Sequence, residues 1–245
     1  MIPARKSPLF EALFARHARS RIARSFAALR VRGADGARAL AASGPLLVVS
    51  NHTAWWDALV ALVVSRALGA DGHALMDAEN LRRLPFFGRA GAFGVDLADP
   101  ADGARALRYA AHLLDRPGRL VWIFPQGRER PVTERPLAFQ PGSAEIARLA
   151  RRARVLPVAL RYELGEAERP VAWVSLGAPL SPAPPGKRAD VQEERARQEQ
   201  GVAAELDRID GAIRAGDAAS FPALIEGRSS RLGELATRAL SVLTR

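Results

Sequence analysis

Leu46-Leu47-Val48-Val49-Ser50-Asn51-His52-Thr53-Ala54-Trp55-Trp56-Asp57 reads as a buried strand that passes through a short polar loop into a helix. An unbroken apolar run with β-branched members suits a strand covered on both faces, the kind a parallel sheet buries. A helical period follows over Trp55–Leu68 and is closed by Gly69. Working outward, the same alternation repeats. Weak strands are expected over His73–Met76 and Phe93–Val95, then a helix over Ala101–Leu114 that Pro117–Gly118 ends. A strong strand, Leu120–Phe124, runs into Pro125, and a loop follows to Pro141. A helix over Ser143–Arg152 precedes strands over Val155–Arg161 and Val171–Leu176, with Gly165–Pro170 as a hairpin connection. This order predicts an α/β fold with a central, largely parallel sheet flanked by helices.

The flanks differ from this body. Residues 1–32 hold Arg5, Lys6, Arg16, Arg19, Arg21, Arg24, Arg30 and Arg32 against Glu11 alone, while the whole 245-residue chain has a formal charge of +10. In the same stretch Leu9, Phe10, Leu13, Phe14, His17, Ile22, Phe26 and Leu29 recur mostly at three- and four-residue steps, one face of a helix. A basic amphipathic helical segment of this kind suits an anionic membrane interface; the same pattern also fits a helix docked on the body with solvated arginines. At the other end, Pro179–Pro185 reads as a Pro-rich linker, and Ala189–Arg214 as a long helix of balanced charge, a solvated helical cover.

Composition removes several function classes. With no Cys, the chain has no disulfide scaffold, thiol nucleophile or Cys-ligated metal site. No apolar run approaches the ~20 residues of a transmembrane helix, and Glu11 interrupts Leu9–Phe10 at once, unlike a secretory signal. The expectation is a cytoplasmic protein, soluble or peripheral on the membrane. A pI near 11.3 raises nucleic-acid binding. That would require a basic face with base-stacking aromatics or a groove-reading motif, and neither is found, so no nucleic-acid partner is expected. His17, His73 and His112 lack partners at ligand spacing, so no metal is expected either.

His52 and Asp57 are the chemically informative pair. Five residues apart on a continuous helix, they would be rotated by roughly 140°. They meet only if His52 lies in the loop and Asp57 in the first helical turn, with Thr53 as a plausible N-cap. Asp57 then accepts from one imidazole nitrogen, fixes the tautomer and raises the basicity of the other. Such a base can take the proton of an alcohol as it attacks a thioester. No Gly-x-Ser-x-Gly elbow supports a covalent acyl-serine route.

Further segments stand in a defined order: Gly91-Ala92-Phe93-Gly94-Val95-Asp96, then Phe124-Pro125-Gln126-Gly127, then Val155-Leu156-Pro157-Val158-Ala159. Together with His52 through Asp57, their order and spacing resemble the four blocks of the glycerolipid acyltransferases, the lysophosphatidic acid acyltransferase family, over residues 44–178. The resemblance implies His52 and Asp57 as catalytic residues. It also implies an acyl-thioester donor, acyl-CoA or acyl-carrier protein, a lipid alcohol acceptor and no cofactor. Phe124, Pro125, Gln126, Gly127, Arg128 and Arg130 would then form the substrate-binding third block. Domain limits follow: 1–32 a membrane-association segment, 33–178 the catalytic domain, 179–245 a linker and helical C-terminal extension.

The departures matter as much. Leu97 stands where the family usually has an Arg after the second-block Asp, and Gln126 replaces a Glu. Arg128-Glu129-Arg130 replaces the family's Thr-Arg-Ser. An intact pair beside altered acceptor positions implies the same reaction on a different acceptor. The alternatives are an ordinary lysophosphatidic acid acyltransferase with the phosphate held by Arg128 or Arg130, and a non-catalytic lipid-binding relative. Trp55–Trp56 and Phe86–Phe87 are open between acyl-groove wall and core, and Arg82–Arg83 between phosphate contact and solvent.

Overall fold

The computed structural model describes residues 1–181 and 190–228. In chain order its elements are α1 (Pro8–Ser25), β1 (Ala28–Arg32), α2 (Ala34–Ser43), β2 (Leu46–Ser50), α3 (Asp57–Ala67) and β3 (Asp71–Asp77). Then come α4 (Ala78–Arg83), α5 (Phe86–Ala90), β4 (Ala92–Val95), α6 (Pro100–Leu113) and β5 (Arg119–Ile123). The last are α7 (Gly142–Leu149), β6 (Arg154–Glu163), β7 (Val171–Leu176), α8 (Val191–Ala215) and β8 (Ala223–Glu226). All strands join one sheet in the order β4-β3-β5-β2-β6-β7-β1-β8. From β4 through β6 the pairing is parallel; β7 is antiparallel to β6, and β8 to β1.

The apolar strand β2 lies between β5 and β6, with every residue buried. Side chains alternate across a strand, so Leu46 and Val48 face one layer and Leu47 and Val49 the other. The first layer packs with Val60, Val63 and Val64 of α3 and with Ile22 and Phe26. The second packs with Leu113 of α6, Ile146 of α7 and Val202, Leu206 and Ile209 of α8.

Both flanks are more integral than the charge pattern implied. Ala28–Arg32 is a sheet strand, paired residue for residue with β7, so a boundary at residue 32 divides the sheet from its own strand. Its alternation of buried Leu29 and Val31 with half-buried Arg30 and Arg32 is the strand period, and the arginines obscured it. Arg30 donates to the carbonyls of Ala218 and Phe221. In the C-terminal part, α8 is no solvated cover. Val202, Leu206 and Ile209 are fully buried, each worth about 1.5–3 kcal/mol of apolar burial. Residues 182–185 of the expected Pro-rich linker, Ala189 at the start of the expected long helix, and the extension beyond residue 228 lie outside the described residues.

Helix α1 starts at the cap Ser7, whose Oγ accepts from Phe10 N at 3.4 Å, with Pro8 at the first helical position. It docks on α3 and α5 through a stripe of Glu11, Ala15, Ala18 and Ile22. Leu9 and Leu13 remain 72% and 61% exposed on another face. Glycines test the layout between β1 and α2. Gly33 has φ +80° and a Cβ there would lie 2.2 Å from the Leu176 carbonyl oxygen, whereas a Cβ at Gly36 meets nothing within 4 Å. Gly33→Ala is expected to destabilise the protein by about 2 kcal/mol or more through strain and clash. Gly36→Ala should instead stabilise it by up to about 1 kcal/mol. Urea-denaturation midpoints measure both.

Candidate active site

The loop between β2 and α3 is held from both sides. Asn51 is 1% exposed, and its side-chain amide donates to Leu160 O and accepts from Leu160 N, each at 2.8 Å, extending the β2–β6 ladder by one residue. The next residue, His52, uses both backbone groups on the loop after β5. Its N–H donates to Gln126 Oε1 at 2.7 Å, and its carbonyl accepts from Arg130 N at 2.9 Å. His52 is thereby fixed in the loop while Asp57 opens α3.

Asp57 is fully buried. Its Oδ2 accepts from His52 Nδ1 at 2.7 Å, Thr53 N at 2.7 Å and Ala54 N at 3.2 Å, and its Oδ1 accepts from the Tyr162 hydroxyl at 2.7 Å. A carboxyl taking four donors acts as acceptor only, so Nδ1 carries the imidazole proton and Nε2 keeps the lone pair. The expected N-cap is corrected: α3 has Trp56 at that position with no side-chain cap, and Thr53 contributes its backbone N–H to Asp57. Thr53 Oγ1 is buried without a partner among the described residues. Closing the loop on Asp57 does what the cap was expected to do.

His52 lines a cavity of about 670 Å³, within the range of small-molecule sites. Its walls are chiefly apolar: Ala58, Ala61 and Leu62 of α3, Leu75 and Met76 of β3, Phe87 of α5 and Trp122 of β5, reaching Ser65, Gly72 and His73. Phe14, Trp55 and Leu97 also contribute, and Trp55 and Leu97 are exposed at 48% and 64%. Exposed Asn80, Arg83, Arg128 and Glu129 supply its polar rim. The structure thus brings Phe124, Pro125, Gly127 and Arg128 to the cavity with His52. Gln126 is buried against the His52 backbone, and Arg130 directs its guanidinium to Glu134, so neither lines the cavity. Gly127 N–H is taken by Phe124 O at 3.1 Å, so that donor is not available to an oxyanion. Arg82 does not line the cavity, and Arg83 does, with one donor on Asn80.

Two residues at this site carried no local signal. Tyr162 is distant from Asp57 in sequence and enters through strand β6. Glu199 of α8 accepts from Ala138 N and Phe139 N at 3.0 and 3.1 Å, which secures the loop returning from the third block. Among the described residues no cluster of three His, Cys, Asp or Glu side chains is placed to hold a metal ion.

The family model described as Acyltransferase matches residues 29–161, more than half of the chain. The chain belongs to that family. It is an acyltransferase enzyme, in line with its four sequence blocks. Among solved structures it is similar to the 1-acyl-sn-glycerophosphate (LPA) acyltransferase PlsC from Thermotoga maritima. The TM-score is 0.59 at 19% identity, over 82% of this chain and 78% of that one, a likeness of fold. The comparison with curated proteins returns no match.

For this acyltransferase the pair can be tested directly. His52→Ala should lower turnover by about 10³-fold, the range of a general base, with the fold retained because the ring is partly exposed. In Asp57→Asn the two backbone N–H groups at Oδ2 select the amide oxygen for that position, so the imidazole tautomer survives, while the negative charge is lost and the Tyr162 hydroxyl must turn from donor to acceptor. The expected fall is about 10²-fold. Steady-state kinetics on folded variants decide; near wild-type turnover in either removes that residue from the chemistry.

Proposed function

We propose that this enzyme transfers a fatty acyl group from an acyl thioester to a hydroxyl of a lipid acceptor at a membrane surface, with His52 as general base oriented by Asp57. The observation that carries the reading is that His52, backed by the buried Asp57, lines a chiefly apolar cavity. An acyl chain fits the cavity wall, and its thioester then lies beside His52. His52 Nε2 takes the acceptor hydroxyl proton as the oxygen attacks the thioester carbonyl. The C–O bond forms, the C–S bond breaks, and the proton on His52 passes to the departing sulfur. For the oxyanion, the N–H of Arg128 is the better candidate than that of Gly127. It has no partner among the described residues, and Arg128 lines the cavity.

The acceptor follows from the rim. Leu97 offers no forked donors for a phosphate, Gln126 is turned to His52 and Arg130 to Glu134. On the third-block side of the rim Arg128 and Glu129 are an adjacent cation and anion, and Arg83 stands across the same cavity with one donor on Asn80. We infer a hydroxyl lipid whose headgroup is less anionic than a phosphate monoester, such as a lyso-aminolipid or glycosylated lipid. The placement of Arg128 favours a second reading, lysophosphatidic acid with its phosphate on Arg128. Labelled long-chain acyl-CoA and acyl-carrier protein are offered with lysophosphatidic acid and with neutral or zwitterionic acceptors. Faster turnover on the latter is expected in wild type, with Arg130→Ala little changed. A preference for lysophosphatidic acid that Arg128→Ala abolishes would establish the second reading. Absence of acyl transfer to every acceptor would support a lipid-binding relative.

Membrane association is supported by α1 and by the cavity rim. Exposed Leu9 and Leu13 lie on a helix that also exposes Arg16, Arg19 and Arg24, the composition of an interfacial helix. Among the described residues no helix is long and apolar enough to cross a membrane. We propose peripheral binding to the anionic cytoplasmic leaflet. Because β1 belongs to the sheet, point variants replace deletion of the segment. Leu9→Gln with Leu13→Gln should weaken co-sedimentation with neutral and anionic vesicles alike, and Arg16→Gln with Arg19→Gln with anionic vesicles alone. Unaltered binding in both would leave α1 as a docked helix only.

A further inference from the structure

We infer that Tyr162 is a positioning residue of this enzyme: its hydroxyl holds the outer oxygen of Asp57 and so sets how strongly and in what direction Asp57 supports His52. The inference rests on the proposed role of His52 as base and concerns a residue that lies one position beyond the family match at 161. The reasons are geometric. Oδ2 of Asp57 is shared by His52 and two backbone N–H groups, whereas Oδ1 has the Tyr162 hydroxyl, at 2.7 Å. With Asp57 fully buried, rotation of the carboxylate about its last bond is opposed on the Oδ1 side by this one side chain.

The position of Tyr162 is dictated by the sheet. The Asn51 clamp fixes Leu160 at the end of β2. Two residues on, a strand side chain returns to the same face, which puts Tyr162 over the first turn of α3. There the ring meets Phe26 at 5.6 Å between centroids, and Phe26 in turn meets Trp56 edge-on at 4.9 Å. Across the strand pair Tyr162 stands opposite Ala172 of β7. Antiparallel β7 therefore stiffens the part of β6 that overhangs the parallel sheet.

The hydroxyl is a permanent donor. Burial pushes the phenol well above its ordinary range, and the negative charges of Asp57 and Glu129 add to the effect. It stays protonated wherever the enzyme works and cannot replace His52 as the base. A hydrogen bond to Oδ1 draws charge from the carboxylate, so Asp57 stabilises the imidazolium less than it would alone. Tyr162 thus keeps the base oriented and tempers the charge that Asp57 presents to it. Among the described residues the charges that act on the Tyr162 hydroxyl are those of Asp57 and Glu129, and His52 is the titratable group on the other oxygen of Asp57.

The test is Tyr162→Phe in the full-length enzyme, which keeps the ring contacts and the strand pairing and removes only the donor. Expected are a three- to tenfold fall in kcat at the pH plateau and KM values for donor and acceptor within twofold of wild type. The acid limb of the kcat profile should move upward, because the carboxylate charge of Asp57 is then no longer shared with the phenol. In an Asp57→Asn background the same change should cost less than twofold. Wild-type kcat and an unmoved acid limb in Tyr162→Phe, with His52→Ala inactive, would overturn the inference while leaving the base assignment standing. Activity in His52→Ala would instead overturn the assignment on which it rests. A fall in kcat with an unmoved acid limb, equal in the Asp57→Asn background, would make Tyr162 a packing residue and also overturn the inference. Circular dichroism and thermal melting of each variant confirm that folded protein is being compared.

Discussion

A buried carboxylate without partners is among the costliest groups a fold can contain, and Asp57 is fully buried. Much of the local architecture can be understood as the supply of its donors. The loop from β2 doubles back so that Thr53 and Ala54 present their N–H groups, His52 presents Nδ1, and β6 overhangs to bring Tyr162. Each donor comes with a constraint of its own. Asn51 fixes the register of loop and β6, and Gln126 and Arg130 fix the His52 backbone to the third block. Three segments far apart in sequence therefore reach one point with little freedom left to the imidazole. That is what preorganisation of the proposed general base requires.

The replacement of a Glu by Gln126 becomes intelligible in this frame. The position is used for an acceptor oxygen facing the His52 N–H, and an amide offers that oxygen as well as a carboxylate does. A neutral group there also adds no charge beside His52. The same logic separates Arg128 from Arg130. Arg130 serves the scaffold through its backbone N–H and its pairing with Glu134; Arg128, one turn of chain earlier, lies on the cavity. Gly127, at φ +69°, makes the turn between them and β5, a conformation for which glycine carries no side-chain penalty.

Legibility in the sequence followed the range of the interactions. The parallel core could be read from β2 and β5 because continuous apolar runs are local, and the His52–Asp57 pair because loop and helix start adjoin. What could not be read depended on distant partners. Tyr162 reads as one more strand residue until β6 is laid beside β2. Strand β1 was hidden because Arg30 and Arg32, counted as surface charge, are taken up by carbonyls of residues near 220 and by Glu205. Helix α8 shows few apolar residues in its sequence, yet Val202, Leu206 and Ile209 fall in one buried stripe on the sheet. Charge counting describes a helix surface; it does not say which narrow stripe is covered.

The charge of the N-terminal segment also divides unequally once contacts are assigned. Lys6 pairs with Asp71 and Glu11, Arg30 and Arg32 with the body, leaving Arg16, Arg19, Arg21 and Arg24 exposed on α1. Arg21 lies over the rings of Trp55 and Trp56, at 5.1 and 5.3 Å from their centroids. Phe14, on the same helix, stacks with Phe10 and meets Phe86 and Phe87 while lining the cavity. One helix thus carries the outward apolar pair Leu9 and Leu13, a cationic hold on the tryptophans of the His52 loop, and part of the cavity wall. On the proposed reading, the helix that meets the bilayer is therefore also one that borders the site an acyl chain would enter.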